Sequence, residues 1–264
     1  MKFWKHPVGS EARRVMTIGY VEGAGSSMKE TSQHSAINEP LPKGATIVRP
    51  AKRAHWTVNS KRKQRVLIIA DISGSMAGAK AVQALSGCQQ LNDNLASSAN
   101  KGGFLVAVIY FNFEARTVHV WTPAVALVGN MAPMNPEGQT NIAAALELAL
   151  TMLAEAQKQD ERQSEYTVLR SVVFFYSDGQ HNKGDDPRPV AEKVKAQADV
   201  VTIAIGTDAD AQLMQDLATS PAHAYTVSDT AELRKFLADA APTITQTFQR
   251  GEDATQVLTQ LQKS

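Results

Sequence analysis

Cysteine is almost absent from this sequence, since Cys88 is the only one among 264 residues. An intramolecular disulfide is therefore excluded, and cysteine use this low favours the cytoplasm over an oxidising compartment. No apolar run approaches the ~20 residues that cross a bilayer, and the basic start, Met1–Gly9, is not followed by the apolar stretch of a secretory signal. We expect a cytoplasmic protein that does not enter a membrane.

Several sequence patterns that carry catalysis or nucleotide binding are also missing. No Gly-x-Gly-x-x-Gly or Walker phosphate loop follows a predicted strand. The segment Gly74–Gly78 places its second glycine one residue too far for the Gly-x-Ser-x-Gly pattern of serine hydrolases. Aromatic residues make up only 6% of the chain, and no nucleic-acid-binding motif accompanies its basic residues. We therefore expect no dinucleotide fold, no serine hydrolase and no nucleic-acid partner.

The charges are unevenly distributed along the chain. The net charge is +1, yet residues 1–65 contain 13 Lys and Arg against 4 Asp and Glu, which leaves residues 66–264 at −8. Residues 1–63 also lack regular apolar periodicity and collect Gly, Ser and Pro. These features predict a basic, extended or partly disordered N-terminal segment over 1–63. We place a folded domain at 64–248 and a tail or helix extension at 249–264.

From residue 66 onward, strand-like and helix-like segments alternate, which indicates a mostly parallel sheet with helices on both faces. Continuous apolar runs predict buried strands, and the alternating segment 116–121 predicts an antiparallel edge strand after a hairpin turn. The predicted buried strands are 66–71, 104–111, 172–176 and 200–206, with a short last strand at 224–227. Helices are predicted at 77–95, from 142 onward, at 188–197, at 210–218 and after Asp229, which with Glu232 has capping-box spacing.

One stretch organises the candidate chemistry. The strand 66–71 ends in an Asp-x-Ser-x-Ser sequence, a threonine precedes the helix that starts near residue 142, and an aspartate follows the strand 172–176. Ligands of parallel α/β sheets collect beyond the carboxyl ends of the strands, so these side chains are expected to lie together. Their hard oxygen atoms suit Mg²⁺ or Mn²⁺ better than zinc. The candidate metal ligands are Asp71, Ser73, Ser75, Thr140 and Asp178.

These three elements, in this order, resemble the von Willebrand factor A (VWA) family, whose metal-ion-dependent adhesion site (MIDAS) combines Asp-x-Ser-x-Ser with a distant Thr and a distant Asp. The resemblance covers about residues 64–248. It implies a Rossmann-like, doubly wound α/β fold with a six-stranded sheet and one antiparallel edge strand. It also implies that Ser73, Ser75 and Thr140 contact the metal directly, while Asp71 and Asp178 act largely through bound water.

Some neighbouring residues bear on this expectation. Gln139 departs from the small residue, often Gly, that commonly precedes the threonine of the family. Helix N-termini predicted at Met76 and Asn141 would favour an incoming anion. The loop 180–187, with His181, Asn182, Asp185 and Asp186, is interpreted as a solvated loop beside the site and not as a source of ligands.

The function that the resemblance implies is a non-enzymatic adaptor. The bound metal accepts an Asp or Glu side chain from a partner protein, and the intracellular bacterial-type members that this chain resembles include small tellurite-resistance-associated proteins. Candidate associates are an AAA+ ATPase, a kinase or a phosphatase. Two alternatives stay open, namely a co-chaperone subunit of an AAA+ assembly and a Mg²⁺-dependent phosphatase of the haloacid dehalogenase type. The phosphatase pattern is Asp-x-Asp, however, and Ser73 replaces the second Asp, the usual general acid or base.

Overall fold

The computed structural model describes residues 60–162 and 165–261. The expectation for the basic N-terminal segment falls almost entirely outside these residues. None of the helices in the described part of the chain is long and apolar enough to span a lipid bilayer.

The described residues form one seven-stranded sheet. Its strands are β1 (Arg62–Asp71), β2 (Phe104–Phe111), β3 (Ala115–Pro123), β4 (Thr167–Val168), β5 (Ser171–Ser177), β6 (Ala198–Ile205) and β7 (Ala224–Val227). Six of them lie side by side in the order β3-β2-β1-β5-β6-β7, and β4 pairs with the start of β1. Every pairing is parallel except that of β2 with β3. The predicted mostly parallel sheet with one antiparallel edge strand is therefore confirmed.

Helices cover both faces of the sheet. They are α1 (Ala79–Leu95), α2 (Ala124–Leu127), α3 (Ile142–Glu161), α4 (Arg188–Lys195), α5 (Ala211–Leu217) and α6 (Thr230–Arg250). One apolar core lies between the sheet and α1, α2 and α6, and a second lies between the sheet and α3, α4 and α5. Strand β1 serves both, because Val66 and Ile68 face the first core and Leu67 and Ile69 face the second. This burial on both faces explains the unbroken apolar run in the sequence.

The ends of two helices differ in detail from the sequence expectation. Helix α1 begins at Ala79, because Gly74–Met76 form a separate 3₁₀ turn and Gly78 has a φ of 72°. Asp229 caps α6 as predicted, accepting hydrogen bonds from the backbone N–H groups of Ala231 and Glu232. The Glu232 carboxylate, however, accepts from the N–H of Ser228, one residue before the position that a capping box uses.

The chain folds back onto the core after α6. The helix ends where Gly251 adopts a left-handed φ of 78°. A 3₁₀ turn at Val257–Gln260 follows, in which Leu258 is fully buried in the first core. Residues 251–261 thus help to close the edge of that core.

Candidate metal centre

The first carboxylate of the candidate site lies at the end of the central strand. In the parallel register of β1 and β5, Ala70 pairs with Tyr176, which brings Asp71 beside Ser177. The Ser177 hydroxyl donates a hydrogen bond to one Asp71 oxygen, and the Ser73 N–H donates to the other at 2.7 Å. Asp71 is fully buried, so its position and orientation are fixed by the two strand ends and the turn that follows.

Burial also sets the proton affinity of this carboxylate. The low polarity around Asp71 raises its pKa to about 6, although the hydrogen bonds from Ser177 and Ser73 act in the opposite direction. The negative charge of Asp178 adds a further upward contribution to the pKa. Asp71 is thus a carboxylate surrounded by neutral donors, and a bound cation would stabilise its charged form.

Two serine hydroxyls connect this end of β1 to the end of β5. The Oγ atoms of Ser73 and Ser75 lie 3.0 Å apart, and the Ser75 hydroxyl donates to Oδ1 of Asp178 at 2.6 Å. Ser73 and Asp178 are buried, whereas Ser75 is exposed to the cleft. The other oxygen of Asp178, Oδ2, accepts a hydrogen bond from the ammonium of Lys80.

Thr140 is held beside these groups by the loop after β5. The Thr140 N–H donates to Oδ1 of Asn182 at 3.0 Å, and the Asn182 N–H donates to the Thr140 carbonyl at 3.1 Å. A Cβ atom built on Gly179 would lie 3.3 Å from Oγ1 of Thr140 and 3.7 Å from Oγ of Ser75. The absence of a side chain at Gly179 therefore lets these two hydroxyls approach the same space.

The loop 131–139, which precedes Thr140, is tied directly to the turn after β1. Gly74 N–H donates to the Gly138 carbonyl at 3.0 Å, and Glu137 N–H donates to the Ile72 carbonyl at 2.8 Å. Gly138 has a φ of 74°, and a Cβ there would lie 2.7 Å from the ring of Phe113, so this position requires glycine. Gln139 lines the cleft one residue later without displacing Thr140.

The structure corrects one expectation about the surroundings and adds detail to another. Met76 is not a helix N-terminus, because it ends the 3₁₀ turn and α1 begins three residues later. The loop 180–187 is largely exposed, as expected, and it also holds the segment before α3, because Asn182 accepts a hydrogen bond from Thr140 N–H and Nδ1 of His181 accepts one from Ile142 N–H at 3.2 Å. Asp185 and Asp186 are exposed, as expected. The Asn141 side chain caps α3 by accepting from Ala144 N–H at 3.1 Å.

Four of the five predicted residues, Ser73, Ser75, Thr140 and Asp178, line one open cleft of ≈ 620 Å³ at the carboxyl ends of β1 and β5. Asp71 is fully buried behind Ser73, from whose N–H it accepts a hydrogen bond. All five side chains offer oxygen, the ligand type of hard cations such as Mg²⁺ and Mn²⁺. Within residues 60–162 and 165–261, no three His, Cys, Asp or Glu side chains cluster in a way that would hold a metal. A cation in this cleft would depend on hydroxyl ligands in addition to the two carboxylates, and the donor set fits that requirement.

Sequence reasoning missed the positioning residues around these five. Ser177 orients Asp71, and the sequence signal was available, because adjacent parallel strands place the ends of 66–71 and 172–176 side by side. Lys80 lies in the first turn of α1, five residues after Ser75, so its proximity could have been inferred from the turn between strand and helix. The hydrogen bond between Thr140 and Asn182 depends on the fold of an irregular loop, and no local sequence pattern predicts it.

A doubly wound α/β sheet with an oxygen-lined cleft at its carboxyl edge defines the class of protein. The sequence model of the von Willebrand factor type A domain matches residues 66–239, and the chain belongs to this family. Domains of this family are general protein-interaction modules and not, as a rule, enzymes. A comparison with curated proteins finds no match.

Solved structures with the same fold come from diverse proteins. Proximal thread matrix protein 1 from the mussel byssus has a TM-score of 0.56 at 20% identity, over 70% of this chain and 49% of that one. A structure of the same protein with a zinc-occupied MIDAS motif has a TM-score of 0.50 at 19% identity, over 70% of this chain and 46% of that one. The von Willebrand domain of the type V pili tip protein Mfa5 from Porphyromonas gingivalis has a TM-score of 0.58 at 15% identity, over 72% of this chain and 97% of that one. The match spans about half of the mussel protein, and at these identities it shows the fold alone.

Proposed function

We propose that this chain is a divalent-metal-dependent protein-interaction domain. Its site would hold Mg²⁺ or Mn²⁺ and recognise an Asp or Glu side chain of a partner protein. The observation that carries the proposal is that the buried carboxylate of Asp178 and three hydroxyls line one open cleft, with a second buried carboxylate, that of Asp71, directly behind Ser73. The proposed metal site consists of Asp71, Ser73, Ser75, Thr140 and Asp178.

The proposed division of roles follows from the contacts of each side chain. Ser75 already donates its proton to Asp178 and therefore accepts from the Ser73 hydroxyl, which leaves one lone pair of its oxygen available to a cation. Among the described residues no hydrogen bond engages Oγ1 of Thr140, so this buried hydroxyl also has free acceptor capacity. Asp71 lies deeper and each of its oxygens already accepts a hydrogen bond, which suits a role through bound water. A metal with these ligands would supply an open coordination position for an incoming carboxylate.

An apolar side chain beside the cleft offers the partner a second contact. Phe113, in the turn between β2 and β3, is 44% exposed, and its ring packs against Gly138 in the loop that leads to Thr140. Aromatic side chains, phenylalanine included, are enriched in protein–protein interfaces relative to the rest of the surface. We infer that the partner presents an acidic residue flanked by an apolar one.

We retain the proposal of a cytoplasmic adaptor, on the basis of the low cysteine content and the resemblance to small bacterial-type VWA proteins. An AAA+ ATPase, a kinase or a phosphatase remains a candidate associate, and a co-chaperone subunit of an AAA+ assembly is compatible with the same site. The phosphatase alternative gains nothing from the geometry, because Ser73 hydrogen-bonds to Ser75 and has no acidic proton to transfer.

The test is affinity capture from the native cell extract with wild-type protein and three variants, each with Mg²⁺ and with EDTA. Thr140→Val removes a proposed ligand oxygen at nearly constant shape, and Thr151→Val is the matched control on the exposed surface of α3. We expect a partner that both wild type and Thr151→Val recover with Mg²⁺ only, and that Thr140→Val does not recover. Asp71→Ala should also abolish capture while circular dichroism shows a retained fold.

Equal recovery under all conditions would contradict metal-bridged recognition. A metal-dependent hydrolysis of an aryl phosphate that Thr140→Val abolishes would instead support the phosphatase alternative.

A further inference from the structure

Lys80 brings a positive charge into direct contact with the proposed metal site. Among the ion pairs of the described residues, the pair of Lys80 with Asp178 alone involves a carboxylate of that site. Lys80 is the second residue of α1, so its backbone is fixed close to the cleft, which its side chain helps to line. The contact therefore follows from the position of Lys80 in a helix of the fold and does not depend on an irregular loop.

The two partners of this ion pair differ in their freedom to move. The Asp178 side chain is only 1% exposed, whereas the Lys80 side chain is 48% exposed. Both oxygens of Asp178 are engaged, one by the Ser75 hydroxyl and the other by the Lys80 ammonium. A cation that needs Asp178 meets a carboxylate already neutralised, and only Lys80 is free to leave toward solvent.

The two carboxylates of the site thus differ in the charge of their hydrogen-bond donors. Asp71 accepts from neutral donors, which include the Ser73 N–H and the Ser177 hydroxyl. Asp178, in contrast, is paired with the positively charged ammonium group of Lys80. Without a metal the formal charge of the trio Asp71, Asp178 and Lys80 is −1, and with a divalent cation it is +1. If Lys80 were neutral, the loaded site would have no net charge.

We propose that Lys80 is a tethered competitor for the metal, which weakens cation binding at Asp178 and, once displaced, adds a positive charge to the cleft that attracts the partner's carboxylate. This inference rests on the proposed function, because it assigns a regulating residue to the same site. Lys80 would lower the affinity of the site for the metal and raise the affinity of the loaded site for a carboxylate. The metal would then be bound tightly only when an acidic partner is also present.

The test is calorimetric titration of the full chain with MnCl₂. Lys80→Met removes the charge while keeping the aliphatic length, Lys80→Arg keeps the charge, and Lys158→Met changes an exposed lysine in the last turn of α3. Because a like charge a few ångströms from a cation opposes its binding, we expect Lys80→Met to bind Mn²⁺ about tenfold more tightly than wild type. Lys80→Arg and Lys158→Met should stay within about twofold of wild type.

A second readout follows the displacement itself. Acetylation by an N-hydroxysuccinimide ester, quantified by mass spectrometry, should modify Lys80 faster in the presence of Mn²⁺, while the modification rate of Lys158 stays constant. If wild type binds Mn²⁺ but Lys80→Met binds equally or more weakly, the Lys80 inference is overturned and the metal site stands. If no variant, wild type included, binds Mn²⁺, the proposed metal site is wrong and this inference falls with it.

Discussion

At the scale of single residues, the site depends on the unequal environments of two buried aspartates. Asp178 is accompanied by an ammonium group, whereas Asp71 is surrounded by backbone and hydroxyl donors. A buried carboxylate without a positive partner is costly to ionise, which is why burial raises the pKa of Asp71 to about 6. A divalent cation would remove that cost, so metal binding at the proposed site would be coupled to deprotonation of Asp71.

This coupling predicts a pH dependence of metal affinity. Above about pH 7 Asp71 is ionised and the affinity should be constant, whereas below pH 6 protons compete and the affinity should fall by up to ~10-fold per pH unit. Isothermal titration with MnCl₂ between pH 5 and 8 measures this slope. Asp71→Asn, which cannot ionise, should bind more weakly and show a flatter profile. A wild-type affinity that is constant down to pH 5 would contradict the assigned coupling.

The same pKa predicts the sign of a stability effect in metal-free protein. The folded-state value lies above the ordinary value of 3.8, so the folded state binds more protons between these two pH values. The free energy of unfolding should therefore decrease as the pH rises from about 4 to 6, by about 3 kcal/mol from this group alone. Saturating Mg²⁺ should reduce that loss, because the cation binds the ionised form.

At the scale of elements, the strands were predictable and several connections were not. Strand β1 is buried on both faces, and its unbroken apolar run in the sequence expresses this directly. The four-residue helix α2 and the two-residue strand β4 are too short for any periodicity to appear. The five proposed ligands could be predicted because each follows a strand or precedes a helix, whereas the contact of Asn182 with Thr140 depends on the tertiary fold of a loop.

The C-terminal end of α6 provides a test of stability that is independent of the metal. The Phe248 ring is 3% exposed and packs on Phe104 with ring centroids 4.4 Å apart, close above Gly103, where a Cβ would lie 2.2 Å from the Phe248 ring. Phe248→Ala should lower the free energy of unfolding by about 3–5 kcal/mol, measured by urea denaturation. Because Phe104 begins β2, this contact lies at the amino edge of the parallel strands, opposite the cleft.

Metal affinity of Phe248→Ala should accordingly match that of wild type at 25 °C. Val82→Ala, which shortens a side chain that is 69% exposed on α1, serves as the control and should change stability by less than about 0.5 kcal/mol. A Phe248→Ala variant with unchanged stability would mean that the ring contact is absent in solution.

At the scale of the whole molecule, the excess positive charge and the family match lie in different parts of the sequence. Residues 1–59 contain 9 Lys and Arg against 4 Asp and Glu, and residues 60–264 contain 18 against 22. The family match begins at residue 66, and β1 begins at Arg62. The proposed metal ligands all belong to the acidic part, while most of the excess positive charge precedes it. An acidic partner would therefore meet opposite long-range fields from the two parts of the chain.

A variant that contains only residues 60–264 should separate these contributions. We expect it to fold and to bind Mn²⁺ within about twofold of the full chain, because all five proposed ligands and both apolar cores are retained. Its capture of an acidic partner should be weaker at low salt, since the net charge changes from +1 to −4 and electrostatic steering is lost. At about 0.5 M NaCl, where the screening length is only a few ångströms, the two proteins should perform alike. Equal capture at low salt would mean that residues 1–59 do not assist recognition, whereas loss of Mn²⁺ binding would mean that they take part in the metal site.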